Sequence, residues 1–367
     1  MRLIFFLSHP AHFHLFRNTI NHLRNDHQVK IVVKSKDILL NLITNEGWLY
    51  VNAQKKEKRA IGKLQIIIQS LFGLLVRDIN LIKIALNFKP DVMVGTEWAL
   101  VHVGSLLRIP SIILNEDDTV ATPENKCFYP LAKTLLLPTC CDTGLWENKK
   151  IIYNGYHELA YLHPNHFEPK INILKKYGIE GSTYFIIRLV KLTASHDTGK
   201  KGFNKKLISD LICLLSKYGS VYITSEKELD PEFEQFRLSV NPLDIHHILS
   251  YAKIYIGDSQ TMAAEAGVLG TPFIRFNDFI GKIGYLNELE NKYKLGYGFR
   301  TDQQTEMMNK VKALVLTDNL EEIWMKKKKQ MLSEKIDVTL FFVWFVENYP
   351  ASAKIMKENP NYQNRFK

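Results

Sequence analysis

Carboxylates and imidazoles recur at one kind of position in this chain, directly after short apolar runs. RLIFFLS (2–8) opens into PAHFHLF, which with the His before it carries His9, His12 and His14. DVMVG (91–95) is followed by Thr96 and Glu97, and SIILN (111–115) by Glu116, Asp117 and Asp118. Runs this short and this apolar read as buried parallel strands, and in such sheets ligands gather at the strand C-termini. A carboxylate or imidazole placed there can take a proton from a hydroxyl. His12 is the candidate base, or a hydrogen-bond partner of an acceptor hydroxyl, against the alternative of a histidine that only packs the turn. Glu97, Glu116 and Asp117 are the candidate catalytic carboxylates, and the bland reading of 116–118 is a helix N-cap cluster. His12 and His14 lie two residues apart, cannot share a helix face and lack a clear carboxylate partner, so no metal site is expected.

The second half carries a different chemistry. YIGDSQTMAAEAGVLGTPFIRF (255–276) runs from a strand through Asp258, Ser259, Gln260 and Thr261 into a helix, and Gly270 and Pro272 close that helix before another strand. Free N–H groups at the helix mouth suit a phosphate, and Glu265, one turn beyond Thr261 on the same face, suits a ribose diol. Upstream, RLVKLTASHDTGKKG (188–202) follows another strand and holds Arg188, His196 and Lys200 among small residues. Several cations on a polar loop suit a diphosphate. The alternatives are an ordinary βαβ unit and a solvated basic loop.

The elements that must position these groups alternate strand and helix, which argues for parallel sheets. Strands at 2–8, 29–34, 91–95, 111–115, 134–138 and 151–155, with a long helix over roughly 62–87, make a first domain, 1–163. Strands at 183–190, 221–224, 254–257 and 273–276 make a second, 164–338, and a helical segment, 339–367, ends the chain. A length of 367 residues suits two cores. No GxGxxG follows the first strand, so a nicotinamide-type fingerprint is absent.

Bulk properties narrow the class. Four cysteines, Cys127, Cys140, Cys141 and Cys213, lack CxxC spacing and read as reduced thiols of a cytoplasmic protein. The N-terminus is interrupted by His9 and Pro10 too early for a signal peptide, and no apolar stretch reaches the ~18 residues of a spanning helix. The net charge of +10 comes without any nucleic-acid motif, so nucleic acid is not an expected partner. The charge is local: QKKEKRAIGK (54–63) leads directly into LQIIIQSLFGLLV (64–76). A basic segment beside an amphipathic apolar helix is a contact for an anionic membrane surface, against the alternative of a buried helix behind a lysine-rich loop.

SHPAHFHLFRN (8–18), KPDVMVG (89–95), YHELAYLHPNHF (156–167), IIRLVKLTASHDTGKKG (186–202), GDSQTMAAEAGVLGTP (257–272) and VWFVENYP (343–350) together resemble the GT-B superfamily. The chain is similar to the non-hydrolysing UDP-N-acetylglucosamine 2-epimerases and to an uncharacterised family beside them, found near surface-polysaccharide genes. The resemblance implies an α/β GT-B fold of two Rossmann-like domains facing a cleft, with a late helix that crosses back onto the first. It implies a nucleotide sugar, UDP-linked, as substrate, no separate cofactor, and a lipid-linked or glycan acceptor. His196 is the match to a histidine of the epimerase site, but its local spacing departs from the epimerase pattern, which weakens that assignment. The first expectation is therefore glycosyl transfer. Epimerisation or hydrolysis of a UDP-N-acetylhexosamine is the alternative, and a non-catalytic nucleotide-sugar-binding protein is the third.

Overall fold

The computed structural model describes residues 1–55, 63–123, 125–179, 183–190, 202–226 and 228–367. The chain divides into two compact units, Met1–Tyr161 with Ile336–Lys367, and Leu162–Lys335.

The first unit is built on a seven-stranded parallel sheet in the order β3-β2-β1-β4-β5-β6-β7. The strands are β1 (Arg2–Leu7), β2 (Gln28–Lys34), β3 (Tyr50–Gln54), β4 (Val92–Gly95), β5 (Ser111–Leu114), β6 (Thr134–Pro138) and β7 (Lys150–Tyr153). β1, β4, β5 and β6 are nearly or wholly buried along their length, as strands covered on both faces must be. Helices α1 (Pro10–Leu23), α2 (Asp37–Asn45), α3 (Lys63–Phe88) and α4 (Trp98–Leu107) connect the first five strands. The helix Val338–Glu347 belongs to this unit, and Phe341 and Phe342 set their rings 5.8 and 5.3 Å from Tyr153 of β7. Because every pair is parallel, the C-termini of β1, β4, β5 and β7 share one sheet edge, with Phe6 in register with Gly95 and Gly95 with Ile113.

The second unit carries a five-stranded parallel sheet in the order β12-β11-β10-β8-β9. Its strands are β8 (Tyr184–Leu189), β9 (Ser220–Ser225), β10 (Ile254–Gly257), β11 (Phe273–Phe276) and β12 (Gly296–Phe299). Arg188, Gly257, Arg275 and Gly298 stand in register across four of them at the C-terminal edge. Gly257 has a packing reason: a Cβ there would lie 2.4 Å from the Tyr255 hydroxyl and 2.9 Å from Cβ of Arg188.

Several elements lie outside the sequence reading, α2 among them. β3 and β12, YVNAQ and GYGF, are edge strands; one is polar in its middle and the other half glycine, so neither shows an apolar run. The helix Leu320–Glu334, also absent from the sequence reading, runs through MKKKKQ (325–330), whose lysines are good helix formers.

Candidate functional site

The sheet edge of the first unit collects the expected groups and one more. β1 ends into Ser8 and His9. His9 is the N-cap of α1, its Nδ1 accepting the N–H of Ala11 at 3.2 Å, and Pro10 follows at the first helical position. His12 is therefore on the first turn. Its Nδ1 accepts the Ser8 N–H at 3.2 Å, and the Thr96 hydroxyl, just after β4, lies 3.1 Å from Nε2. A backbone N–H can only donate, so Nδ1 is unprotonated and the neutral ring carries its proton on Nε2. Burial holds the His12 pKa well below the usual histidine value, with His9, His157 and Lys36 adding to the effect. His12 is thus a neutral hydrogen-bond donor through Nε2 and a weak base. His14 turns away and packs its ring 5.4 Å from Tyr161.

After β5, the side chain of Asn115 folds the chain back on itself. Its Oδ1 accepts the N–H groups of Glu116 and Asp117 at 2.9 and 3.2 Å, and its amide donates to the Tyr129 hydroxyl at 2.7 Å. This turn aims Glu116 at the segment that follows β7. There Glu116 Oε2 accepts the backbone N–H of His157 at 3.2 Å, and Oε1 lies 3.2 Å from His157 Nδ1. Both side chains are largely buried, at 16% and 12% exposure. Burial raises the Glu116 pKa well above the carboxylate range, Asp117 adds to that, and the His157 N–H opposes it. Burial pushes His157 down to about 3, against the pull of Asp117. The two shifts describe one uncharged hydrogen-bonded pair. The outer nitrogen of that pair, His157 Nε2, is buried and has no hydrogen-bond partner among the described residues.

His157 is the residue that sequence reasoning missed. The signal was present: it follows the run IIYNG (151–155) just as Glu116 follows SIILN. Glu97 takes a different position from its neighbour Thr96. Its Oε2 lies 3.2 Å from Nε of Arg77, a buried residue of α3 that also donates to Gln54 Oε1 at 2.6 Å. Glu97 is therefore held by an ion pair while Thr96 reaches His12. Asp118 is buried and accepts the Asp142 N–H at 2.5 Å, as a loop anchor.

In the second unit, Ser259 caps the helix Gln260–Leu269, its hydroxyl accepting the Met262 N–H at 3.3 Å. Gln260 and Thr261 are the first two helical residues and are half-buried. Asp258 is buried and accepts the Val190 N–H at 2.8 Å, so it fixes the start of the segment after β8. Arg188 is ion-paired with Glu226. Glu265 lies in the interior, its Oε1 2.9 Å from His246 Nε2 and both side chains 6% exposed, because the helix is buried from Met262 to Leu269. His196 and Lys200 lie outside the described residues.

Two parallel sheets with connecting helices, each with polar groups at its C-terminal edge, are the units of a GT-B fold, and the likeness to solved structures agrees. The chain belongs to the family described as "Protein of unknown function (DUF354)", which matches residues 4–344. It is similar to the UDP-GlcNAc 2-epimerase from Neisseria meningitidis bound to UDP-GlcNAc, with a TM-score of 0.57 and 14% identity over 93% of this chain and 100% of that one. The UDP-GlcNAc 2-epimerase of Methanocaldococcus jannaschii gives 0.60 and 15% over 87% and 94%. The spinosyn rhamnosyltransferase SpnG gives 0.62 and 12% over 95% and 100%. No curated protein matches the chain by sequence. At these identities the likeness establishes the GT-B fold, which epimerases and glycosyltransferases share.

Proposed function

We propose that this protein is an enzyme of surface-polysaccharide assembly that transfers a sugar from a nucleotide donor, a UDP-linked N-acetylhexosamine, to a glycan or lipid-linked acceptor. The observation that carries the reading is the Glu116–His157 pair with its unsatisfied buried Nε2. A buried polar atom without a partner is costly, and a reacting hydroxyl is the kind of group that repays it. In transfer, the acceptor oxygen bonds to the anomeric carbon, the bond from that carbon to the diphosphate oxygen breaks, and the diphosphate keeps the electron pair. The acceptor proton passes to His157 Nε2. Nδ1 of His157 keeps its proton toward Glu116, which orients the ring, and the neighbouring Asp117, whose charge favours the protonated imidazole, stabilises the imidazolium that forms. His12 donates through Nε2 to the Thr96 hydroxyl, which leaves the Thr96 O–H to donate to a sugar or acceptor oxygen, and Glu97 holds the turn that presents Thr96.

In the second unit, Ser259, Gln260 and Thr261 at the helix mouth and Arg188 on β8 offset the diphosphate charge, with His196 and Lys200 assigned to the same task. Glu265 takes the ribose, and Asp258 sets the loop. No separate cofactor is needed for this chemistry, and the assigned site is cytoplasmic. Epimerisation at the sugar C2 is the second reading. It is favoured by one observation: two separate titratable centres, His12 and Glu116–His157, share a single sheet edge, and epimerisation needs a group at each face of the carbon. Incubation with UDP-N-acetylhexosamines separates the two. Epimer formed without acceptor supports the second reading, UDP released only with acceptor supports the first, and binding without either contradicts both.

A further inference from the structure

Helix α3 has an unusual distribution of side chains. Gly73, Arg77, Leu81 and Ala85, four residues apart, form its buried line against the sheet. Gly73 packs on Gln54, and Asn80 donates to the Ala53 carbonyl at 2.8 Å. On the opposite side, Ile68, Leu71, Phe72, Leu75, Ile79 and Leu86 are each between 53% and 61% exposed. Their spacing of i, i+3, i+4, i+7, i+11 and i+18 is a single stripe, and it extends about 27 Å along the helix. A surface helix places charge on that side, yet residues 64–76 contain none. A contiguous apolar stripe of this size on a surface marks a contact.

The charge beside the stripe selects the partner. Lys55, Lys56, Lys58, Arg59 and Lys63 precede it in sequence, with Glu57 the one acid among them. The whole chain carries +10. A second copy would bring two such charges together, whereas an anionic surface attracts them. No helix among the described residues is long and apolar enough to cross a membrane, and the buried line ties α3 to its own sheet. The helix is therefore suited to lie in a bilayer interface rather than to span it.

We propose that the outer face of α3 docks on an anionic lipid bilayer, with Leu71, Phe72 and Leu75 inserted below the headgroups. The proposal does not depend on the chemistry assigned to the sheet edges. The test is co-sedimentation of the full chain at low salt with phosphatidylcholine vesicles, with and without phosphatidylglycerol. Binding is expected to the anionic vesicles alone and to weaken as salt rises. Leu71→Glu with Phe72→Glu should reduce that binding about tenfold or more at unchanged circular dichroism. If that variant does not fold, Phe72→Trp gives the second readout: its fluorescence should shift to the blue on anionic vesicles and be quenched by brominated lipid. Wild-type protein that stays in the supernatant, a tryptophan at position 72 that ignores the vesicles, or vesicle binding that the glutamates leave intact overturns the proposal. So does a dimer in solution that the same glutamates dissociate, because the face would then belong to a second copy.

Discussion

The acid–base centre depends on how two side chains share their protons, and that is open to a titration of stability. His157 is held neutral in the folded protein down to about pH 3, whereas an unfolded histidine gains its proton near 6.5. Between those values the unfolded chain binds more protons, so this group makes stability rise with pH from about 3 to about 6.5. Glu116 acts in the opposite sense: it keeps its proton in the fold after an unfolded glutamate has lost it, so its contribution falls as pH rises above the ordinary carboxylate value. Chemical denaturation across this range should show His157→Gln with a flatter acid limb than wild type. Parallel limbs would mean that His157 titrates as an exposed residue does. Glu265 gives a second test. Glutamine keeps an oxygen for His246, so Glu265→Gln should fold normally. If the carboxylate meets the ribose, UDP should bind about tenfold more weakly, the cost of one charged hydrogen bond of about 1.5–3 kcal/mol. Equal UDP affinity in calorimetry would confine Glu265 to packing. At this scale the sequence was informative about place more than about state. The strand-end rule located His12, Glu116 and Asp117, but it could not show that Nδ1 of His12 is already taken by Ser8, that Arg77 holds Glu97, or that His246 lies against Glu265. Those depend on partners 4 to 20 residues distant that no local spacing reveals.

At the scale of elements, the helix Gln260–Leu269 was legible because its signals are local: a serine cap, a run of small residues and a closing glycine at φ 87°. Ser259→Ala removes the oxygen that accepts the Met262 N–H, and it should cost about 1 kcal/mol in urea denaturation. It should also weaken UDP binding if the helix mouth holds phosphate. A stability loss with no change in UDP affinity would leave Ser259 as a cap only. α3 shows the limit of local reading. Its apolar composition predicted a helix, but only its packing against β3 separates the buried line through Gly73 and Arg77 from the exposed stripe through Phe72. β3 and β12 were missed for the converse reason, since edge strands lack the buried run that marks a strand.

At the scale of the molecule, parallel alternation was enough to read two α/β units, because each strand–helix repeat carries its own periodicity. The reaction is not legible at that scale: epimerases and glycosyltransferases share this fold at 12–15% identity to the chain. Binding can be tested on the whole chain. UDP at about a hundredfold over its Kd adds about 2.7 kcal/mol to stability, so it should raise the melting temperature by several degrees, at about 2–4 °C per kcal/mol for a domain of this size. A panel of nucleotides that leaves the melting temperature unchanged would remove the donor from the account.

The central claim is that Glu116 and His157 supply acid–base chemistry to a bound nucleotide sugar. The most direct measurement follows UDP-N-acetylhexosamine by NMR with wild-type protein and with Glu116→Gln, with and without glycan and lipid-linked acceptors, while calorimetry records UDP affinity in parallel. The account predicts that the wild type releases UDP or forms an epimer, and that Glu116→Gln loses this turnover by about 10²-fold or more while its UDP affinity stays the same. Turnover undiminished in Glu116→Gln, or UDP bound by the wild type with no sugar chemistry under any of these conditions, would contradict it.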